Sequence, residues 1–182
     1  MNAVKNLTIL LGVFFLINLG GCNTPALVNK VDEDTQKNAL SFQPNPDLAR
    51  VYFVTGKMMG TMFNNNHSYP ADIIINSTQI GSINKDNVLY FQLKPGNYDF
   101  SWAVRNTDLI VKQTVPRKTN FDVFPGQVLV LRGDYNQGGS TFGLLGAMIS
   151  PPTSVITIAD RDEARSKQVV SPQNCDTSLC LK

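Results

Sequence analysis

The sequence predicts an all-β protein, an antiparallel β-sandwich with a short C-terminal helix. Between residues 49 and 160, short runs rich in β-branched and aromatic residues alternate with turn residues. No amphipathic helical pattern separates these runs, so parallel βαβ units are not expected. Two proline-glycine turns, Pro95-Gly96 and Pro125-Gly126, each divide one such run from the next. Many short strands with turns between them are typical of a sandwich.

The strands of this domain follow from composition and alternation. Tyr98, Phe100 and Trp102 alternate with polar residues, which predicts a strand with one aromatic face directed inward. A tight turn at residues 76–78 predicts a hairpin between its two neighbouring strands. The full set of predicted strands is 50–54, 72–76, 79–83, 88–93, 97–102, 109–115, 120–124, 127–131 and 153–158.

The end of the chain has its own pattern. Residues 133–146 are rich in glycine, which predicts a long loop or an irregular edge. Residues 161–169 are predicted to form a helix that begins after Asp160, because Glu163 stands at the capping-box position and acids fill the first turn. Residues 161–182 therefore form a short helix and a cysteine-containing tail.

The N-terminus has the features of a secretory signal. Lys5 precedes an apolar run over residues 7–19, which as a helix spans about 20 Å, too short for about 30 Å of hydrocarbon. The run ends at Leu19-Gly20-Gly21-Cys22, which resembles the lipobox of bacterial lipoproteins. The resemblance implies removal of residues 1–21 and acylation of Cys22. The alternative is an ordinary signal followed by an unmodified cysteine.

The mature chain is predicted to begin with a lipidated cysteine and a flexible tether over residues 22–48. This segment is polar and contains three prolines, so it offers few side chains for a core. A helical turn or two is expected within residues 31–40. Asn23 follows the cysteine, and resemblance to lipoprotein sorting in enteric bacteria then implies the outer membrane, with the domain facing the periplasm.

Charge excludes one class of partner. The formal net charge is +2 and charged residues make up 16% of the chain, with no basic stripe. Nucleic-acid binding needs a dense positive surface, so no nucleic-acid partner is expected. No cofactor motif is present either.

Two further cysteines, Cys175 and Cys180, lie near the C-terminus. An exported protein favours a disulfide between them. Two free thiols are the alternative. A metal site is disfavoured, because no histidine or further cysteine lies nearby to complete four ligands.

The order of motifs resembles the DUF2846 family of exported bacterial proteins. The resemblance rests on the hairpin Ile73-Ile74-Ile75 into Ile80-Gly81-Ser82-Ile83, followed by the run Tyr90-Phe91-Gln92-Leu93-Lys94-Pro95-Gly96-Asn97-Tyr98. It covers roughly residues 49–160. It implies a sandwich of the transthyretin or carboxypeptidase-regulatory type and brings no catalytic residue.

No catalytic constellation is recognisable, so the chain is expected not to be an enzyme. The chain has one histidine, His67, in an asparagine-rich stretch, so a histidine-dependent hydrolase must use it. Asp99, Asp122 and Asp134 are the acids from which a glycosidase pair could be drawn, but their positions favour a solvated face.

The apolar run around Phe142, Leu144, Leu145 and Met148 carries the hypothesis of an exposed loop that docks on a partner or on lipid. A core strand with glycine bulges is the alternative. The sequence thus predicts an outer-membrane lipoprotein that serves as a binding or assembly module, anchored by acyl chains and bound to an envelope protein. The alternatives are a carbohydrate- or peptidoglycan-binding module, which an exposed Trp102 would favour, and a periplasmic hydrolase.

Overall fold

The computed structural model describes residues 28–59, 70–104, 117–136, 153–173 and 180–181. These residues form strands with two short helices. The elements in chain order are β1 (Val28–Lys30), α1 (Glu33–Leu40), β2 (Ala49–Met59), β3 (Ala71–Ile75), β4 (Thr78–Ile83), β5 (Asn87–Leu93), β6 (Gly96–Val104), β7 (Thr119–Val123), β8 (Val128–Asn136), β9 (Thr153–Ile158), α2 (Arg161–Arg165), β10 (Gln168–Pro172) and β11 (Cys180–Leu181).

The strands form two sheets that pack face to face. The large sheet has the order β1-β10-β5-β2-β8-β9, and β11 lies beside the last residues of β5. The small sheet has the order β4-β3-β6-β7. The all-β, sandwich-like fold predicted from the sequence is confirmed.

The large sheet is mixed, which corrects the expectation of antiparallel pairing throughout. Strand β2 runs parallel to β8, with Arg50 opposite Val128 and Val54 opposite Arg132. Strand β10 runs parallel to β5. The reason is topological: the chain leaves β2, forms β5 of the large sheet and all of the small sheet, and returns as β8 in the original direction.

The hairpin of β3 and β4 confirms the predicted tight turn. Asn76 and Ser77 have φ values of 47° and 69°, the left-handed pair that a two-residue type I′ turn requires. The register then shifts between Ile73 and Ile74. The extra residue this places in β4 lets Ile80 enter the core, where it is fully buried.

The main core lies between the two sheets and is almost entirely apolar. Aliphatic and aromatic side chains from both sheets fill it, among them Phe53, Ile73, Leu89, Phe100 and Leu131, all fully buried. Such burial of large apolar side chains is the principal stabilisation of a sandwich.

A second cluster covers the outer face of the large sheet and corrects the predicted tether. From Val28 onwards the segment is part of the folded domain, because β1 pairs with β10 and α1 packs beside β2. Ala39 and Phe42 are 1% and 3% exposed against Tyr52, which is fully buried. The predicted helical turn or two within residues 31–40 is thus present as α1.

The C-terminal helix is shorter than predicted and ends at Arg165. Residues 168–172 form β10, inserted between β1 and β5. Val169 and Val170 explain the difference, since both are β-branched and both are buried, one on each side of the sheet. Asp160 caps α2 as expected, by accepting from the Asp162 amide.

Candidate functional site

The sandwich has two ends of different character, which we call the loop end and the turn end. At the loop end lie Met59, Val104 and Asn136, the last residues of β2, β6 and β8. Met59 is opposite Asn136, and Val104 is opposite Ala71. Apart from residues 31–48, which contain α1, the three longest connections between strands are residues 60–70, 105–118 and 137–152, and all three leave from this end.

The predicted docking residues fall within one of these connections. Phe142, Leu144, Leu145 and Met148 lie outside the described residues, as does His67. The structure nevertheless fixes where their segments begin: β2 and β8 pair side by side up to Met59 and Asn136. The predicted loop at 133–146 is wrong for its first residues, because β8 continues to Asn136.

The turn end carries short connections. Strand β5 reaches β6 through residues 94–95, and β7 reaches β8 through residues 124–127. The Gly126 amide donates to the Leu48 carbonyl, and the Arg50 amide donates to the Gln127 carbonyl, so residues 44–48 join the same end. Phe124 is 60% exposed here, one of two large apolar side chains exposed among the described residues.

Trp102 is a core residue and not a surface platform. It is 3% exposed, and its indole Nε1 donates to the Val155 carbonyl at 3.2 Å. Its ring lies over Gly133, where an added Cβ would approach ring carbons to 2.7 Å. An exposed Trp102 would have favoured an aromatic carbohydrate-binding surface on this strand, and Trp102 is not exposed.

The three candidate acids do not form one site. Asp99 and Asp122 lie on the outer face of the small sheet, among Asn97 and Asn120. The Asn120 amide donates to Asp99 at 3.0 Å, and the Asn97 amide donates to Asp122 at 2.7 Å. These amides tie the two carboxylates into a ladder across β6 and β7, as expected of a solvated face.

Asp134 lies on the large sheet, in a network on its outer face. Arg132 donates from Nε to Asp134 at 3.0 Å and from a terminal nitrogen to Glu163 at 2.8 Å. The Thr157 hydroxyl also donates to Asp134, at 3.0 Å. Both carboxylates raise the pKa of Arg132, the Asp134 hydrogen bond most. The network fastens α2 to β8, which is a structural role.

The outer face of the large sheet holds α1 by polar contacts that sequence reasoning missed. The Tyr52 hydroxyl donates to the Ala39 carbonyl at 2.6 Å, and Arg50 donates to the Asn38 carbonyl at 3.1 Å. These carbonyls lie at the C-terminus of α1, where a cation and a donor are favourable. Burial raises the pKa of Tyr52 to about 12.

A shallow groove of about 500 Å³ runs beside α1. Its lining combines two half-buried apolar side chains with polar ones that are exposed or half-buried: Val31, Glu33, Gln36, Lys37, Leu40 and Gln168. The mixture has no convergent set of polar groups, so it does not resemble a small-molecule site.

The lipid and thiol predictions fall mostly outside the described residues. Cys22 and Cys175 are not described, and Cys180 is described only by its backbone, which pairs with Leu93 in β5. Within the described ranges, no three acidic, histidine or cysteine side chains come close enough to hold a metal ion. No helix in the described part of the chain is long and apolar enough to cross a membrane.

Comparisons with protein-family models, with curated proteins and with solved structures found no match for the chain. The lipobox and the resemblance to the DUF2846 family therefore stay predictions. The arrangement that the structure defines is a two-layer β-sandwich with short turns at one end and three long connections at the other.

Proposed function

We propose that the chain is an outer-membrane lipoprotein, anchored through acyl chains on Cys22, that acts in the periplasm as a non-enzymatic binding or assembly module. The protein partner docks on the loop end, through the connection of residues 137–152, which contains Leu144 and Leu145. The anchor rests on the leader and the motif Leu19-Gly20-Gly21-Cys22.

One observation carries the docking part of the proposal. The connection after β2 and the connection after β8 start from neighbouring residues, Met59 and Asn136. Both contain apolar segments, Met62-Phe63 in one and residues 142–148 in the other. Two connections that start side by side can bring their apolar segments to one surface, and such surfaces are typical of partner binding.

The described side chains support a binding role over catalysis. The polar clusters are engaged in holding elements together: Arg132 binds α2, and Arg50 binds α1. The Thr157 hydroxyl does donate to Asp134, but that carboxylate is 29% exposed and paired with Arg132. This is not the enclosed pair of nucleophile and base that hydrolytic chemistry needs.

The test is crosslinking of the tagged, lipidated protein in its own cells, followed by purification and mass spectrometry. We expect one envelope protein in near-stoichiometric amount, and its loss in the double variant Leu144→Ser, Leu145→Ser. The matched control is Ile158→Ser, since Ile158 is an apolar residue 69% exposed on β9 and away from the long connections. The control should keep the partner.

Two outcomes would overturn the proposal. Retention of the partner by the double variant would exclude docking through these leucines. Recovery of cell-wall fragments in place of a protein would make a peptidoglycan-binding module the better interpretation. The anchor is tested separately by Cys22→Ser, which should move the protein out of the membrane fraction.

A further inference from the structure

The path of β1 shows from which end the N-terminal segment approaches the domain. Val28 is opposite Pro172 and Lys30 is opposite Val170, which in turn is level with Leu89 in β5. Strand β5 runs from the loop-end side at Asn87 to the turn end at Leu93. Val28 is therefore nearer the turn end than Lys30, and the chain enters β1 from the turn end.

The connection between the proposed anchor and the fold is short. Six residue steps separate Cys22 from Val28, and an extended chain covers at most about 3.6 Å per step, roughly 20 Å in all. The predicted tether of residues 22–48 would have reached several times further. Because β1 and α1 belong to the domain, the fold itself must lie close to the lipid surface.

We infer that the turn end is a membrane-contact surface, on which the exposed ring of Phe124 enters the headgroup region of the bilayer. This inference rests on the proposed acyl anchor at Cys22. Phe124 stands at the tip of the connection between β7 and β8, followed by Pro125. Phenylalanine, like tryptophan and leucine, is typical of the apolar face of elements that lie in the membrane–water interface.

The chemistry of the turn end fits a zwitterionic surface. Its exposed residues include Pro95, Phe124 and Pro125, and among the described residues its exposed charges are Lys94 against Asp47 and Asp122. One positive charge against two negative ones gives no attraction to anionic lipids, so contact depends on apolar burial and on the short anchor. We therefore expect the contact to be insensitive to salt.

The experiment uses the full lipidated chain in phosphatidylcholine vesicles, with and without bromine on the acyl chains as a short-range quencher. Trp102, the one native tryptophan, is buried and gives the reference signal. Phe124→Trp places a second indole at the turn end. Ser166→Trp is the matched control, on an exposed residue two positions before Gln168, which is level with Asn87 on the loop-end side.

We expect bromine to remove about half of the emission added by Phe124→Trp, because interfacial side chains lie about 5–10 Å into the headgroup and acyl boundary. Emission from Ser166→Trp and from Trp102 should not change. A glycine-serine insertion after Thr24 should weaken the quenching, since a longer connection no longer holds the turn end down.

Failure of the orientation and failure of the anchor are distinguishable. If mass spectrometry finds acyl chains on Cys22 but Phe124→Trp is not quenched, the anchor stands and the orientation is wrong. Equal quenching of Ser166→Trp also overturns the orientation. If Cys22 carries no acyl chain and the protein does not bind the vesicles, the anchor fails and the orientation fails with it.

Discussion

The two faces of the large sheet are covered in different ways. The inner face packs on the small sheet through apolar side chains, with Phe53 and Leu131 fully buried. The outer face packs on α1 and α2, and there Tyr52 and Arg50 reach the covering helix by hydrogen bonds. Burial holds the inner layer, whereas the outer layer also depends on a few polar contacts with defined partners.

Substitution of Phe42, in the outer layer, is expected to change the free energy of unfolding most. Phe42 follows the C-cap of α1 with φ of 52°, a conformation that favours glycine, yet its ring is buried against Tyr52 at 4.8 Å between centroids. Arg161 and Arg165 lie 5.9 and 5.7 Å from its ring centroid. The burial and the cation–π contacts offset the backbone strain.

Phe42→Ala should lower the free energy of unfolding by about 3–5 kcal/mol, because it removes the ring and keeps the strained backbone. Phe42→Gly removes the same ring but relieves the strain, so it should be less destabilising by about 1 kcal/mol. Urea unfolding of both variants measures this. A glycine variant no more stable than the alanine variant would show that φ at residue 42 is not strained.

The inner face is tested at Gly133. Gly133→Ala should destabilise by about 1–3 kcal/mol, since the new Cβ would come within 2.7 Å of the Trp102 ring in a close-packed core. Gly96→Ala is the matched control, because its Cβ would meet only the Tyr98 ring, at 3.4 Å. Equal midpoints in urea for the two alanine variants would contradict the packing described for Trp102.

Tyr52→Phe tests the polar attachment of α1. It should cost about 1 kcal/mol at neutral pH by removing the bond to the Ala39 carbonyl. Below the ordinary pKa of 10, both folded and unfolded chains keep the phenol protonated. Between 10 and the folded pKa of about 12, the unfolded chain ionises first, so native stability falls as the pH rises.

The phenylalanine variant should therefore lose less stability than the native protein between pH 10 and 12. Burial also raises the pKa of Tyr90, so the stability of both proteins still falls to some extent as the pH rises. Thermal unfolding across this range measures the difference. Identical slopes for the two proteins would mean that Tyr52 does not titrate as the buried group described here.

The smallest change in the free energy of unfolding is expected for substitution of Glu163. Glu163→Gln should cost about 0.5–1 kcal/mol and less at high salt, because its bond to Arg132 is half-exposed. Asp162→Asn is the control from the same turn of α2: its pair with Arg165 is 3.5 Å apart and its side chain is 77% exposed. A larger loss for the control would contradict the attachment of α2 through Arg132.

The sequence could predict those parts of the fold that local pattern decides. The aromatic alternation in β6 and the turn at Asn76 depend on neighbours in the chain, and both agree with the structure. The parallel pairing of β2 with β8 could not be predicted in this way, because five other strands lie between them in the chain. The glycine at 133 suggested a loop, but it makes room for Trp102 within a strand.

The sequence pattern did not predict the packing of α1 on the outer face, for a different reason. Ala39 and Phe42 are the buried apolar residues of the segment around α1, too few to mark a packed helix. Its attachment uses Arg50 and Tyr52, which are distant in sequence. For the candidate site, the sequence supplied the apolar segments, and only the strand register shows that their connections leave from one end.

The position of β10 between β1 and β5 has a consequence for folding. Residues 28–30 find their strand partner only in residues 170–172, nearly the whole length of the chain away. Pairing at such sequence separation is slow, because the entropy of closing the long loop is lost before the favourable strand contacts form. Under the export that we propose, a chain that emerges from its N-terminus cannot complete the large sheet until residue 172 has emerged. The topology of one strand would then order translocation before completion of the fold.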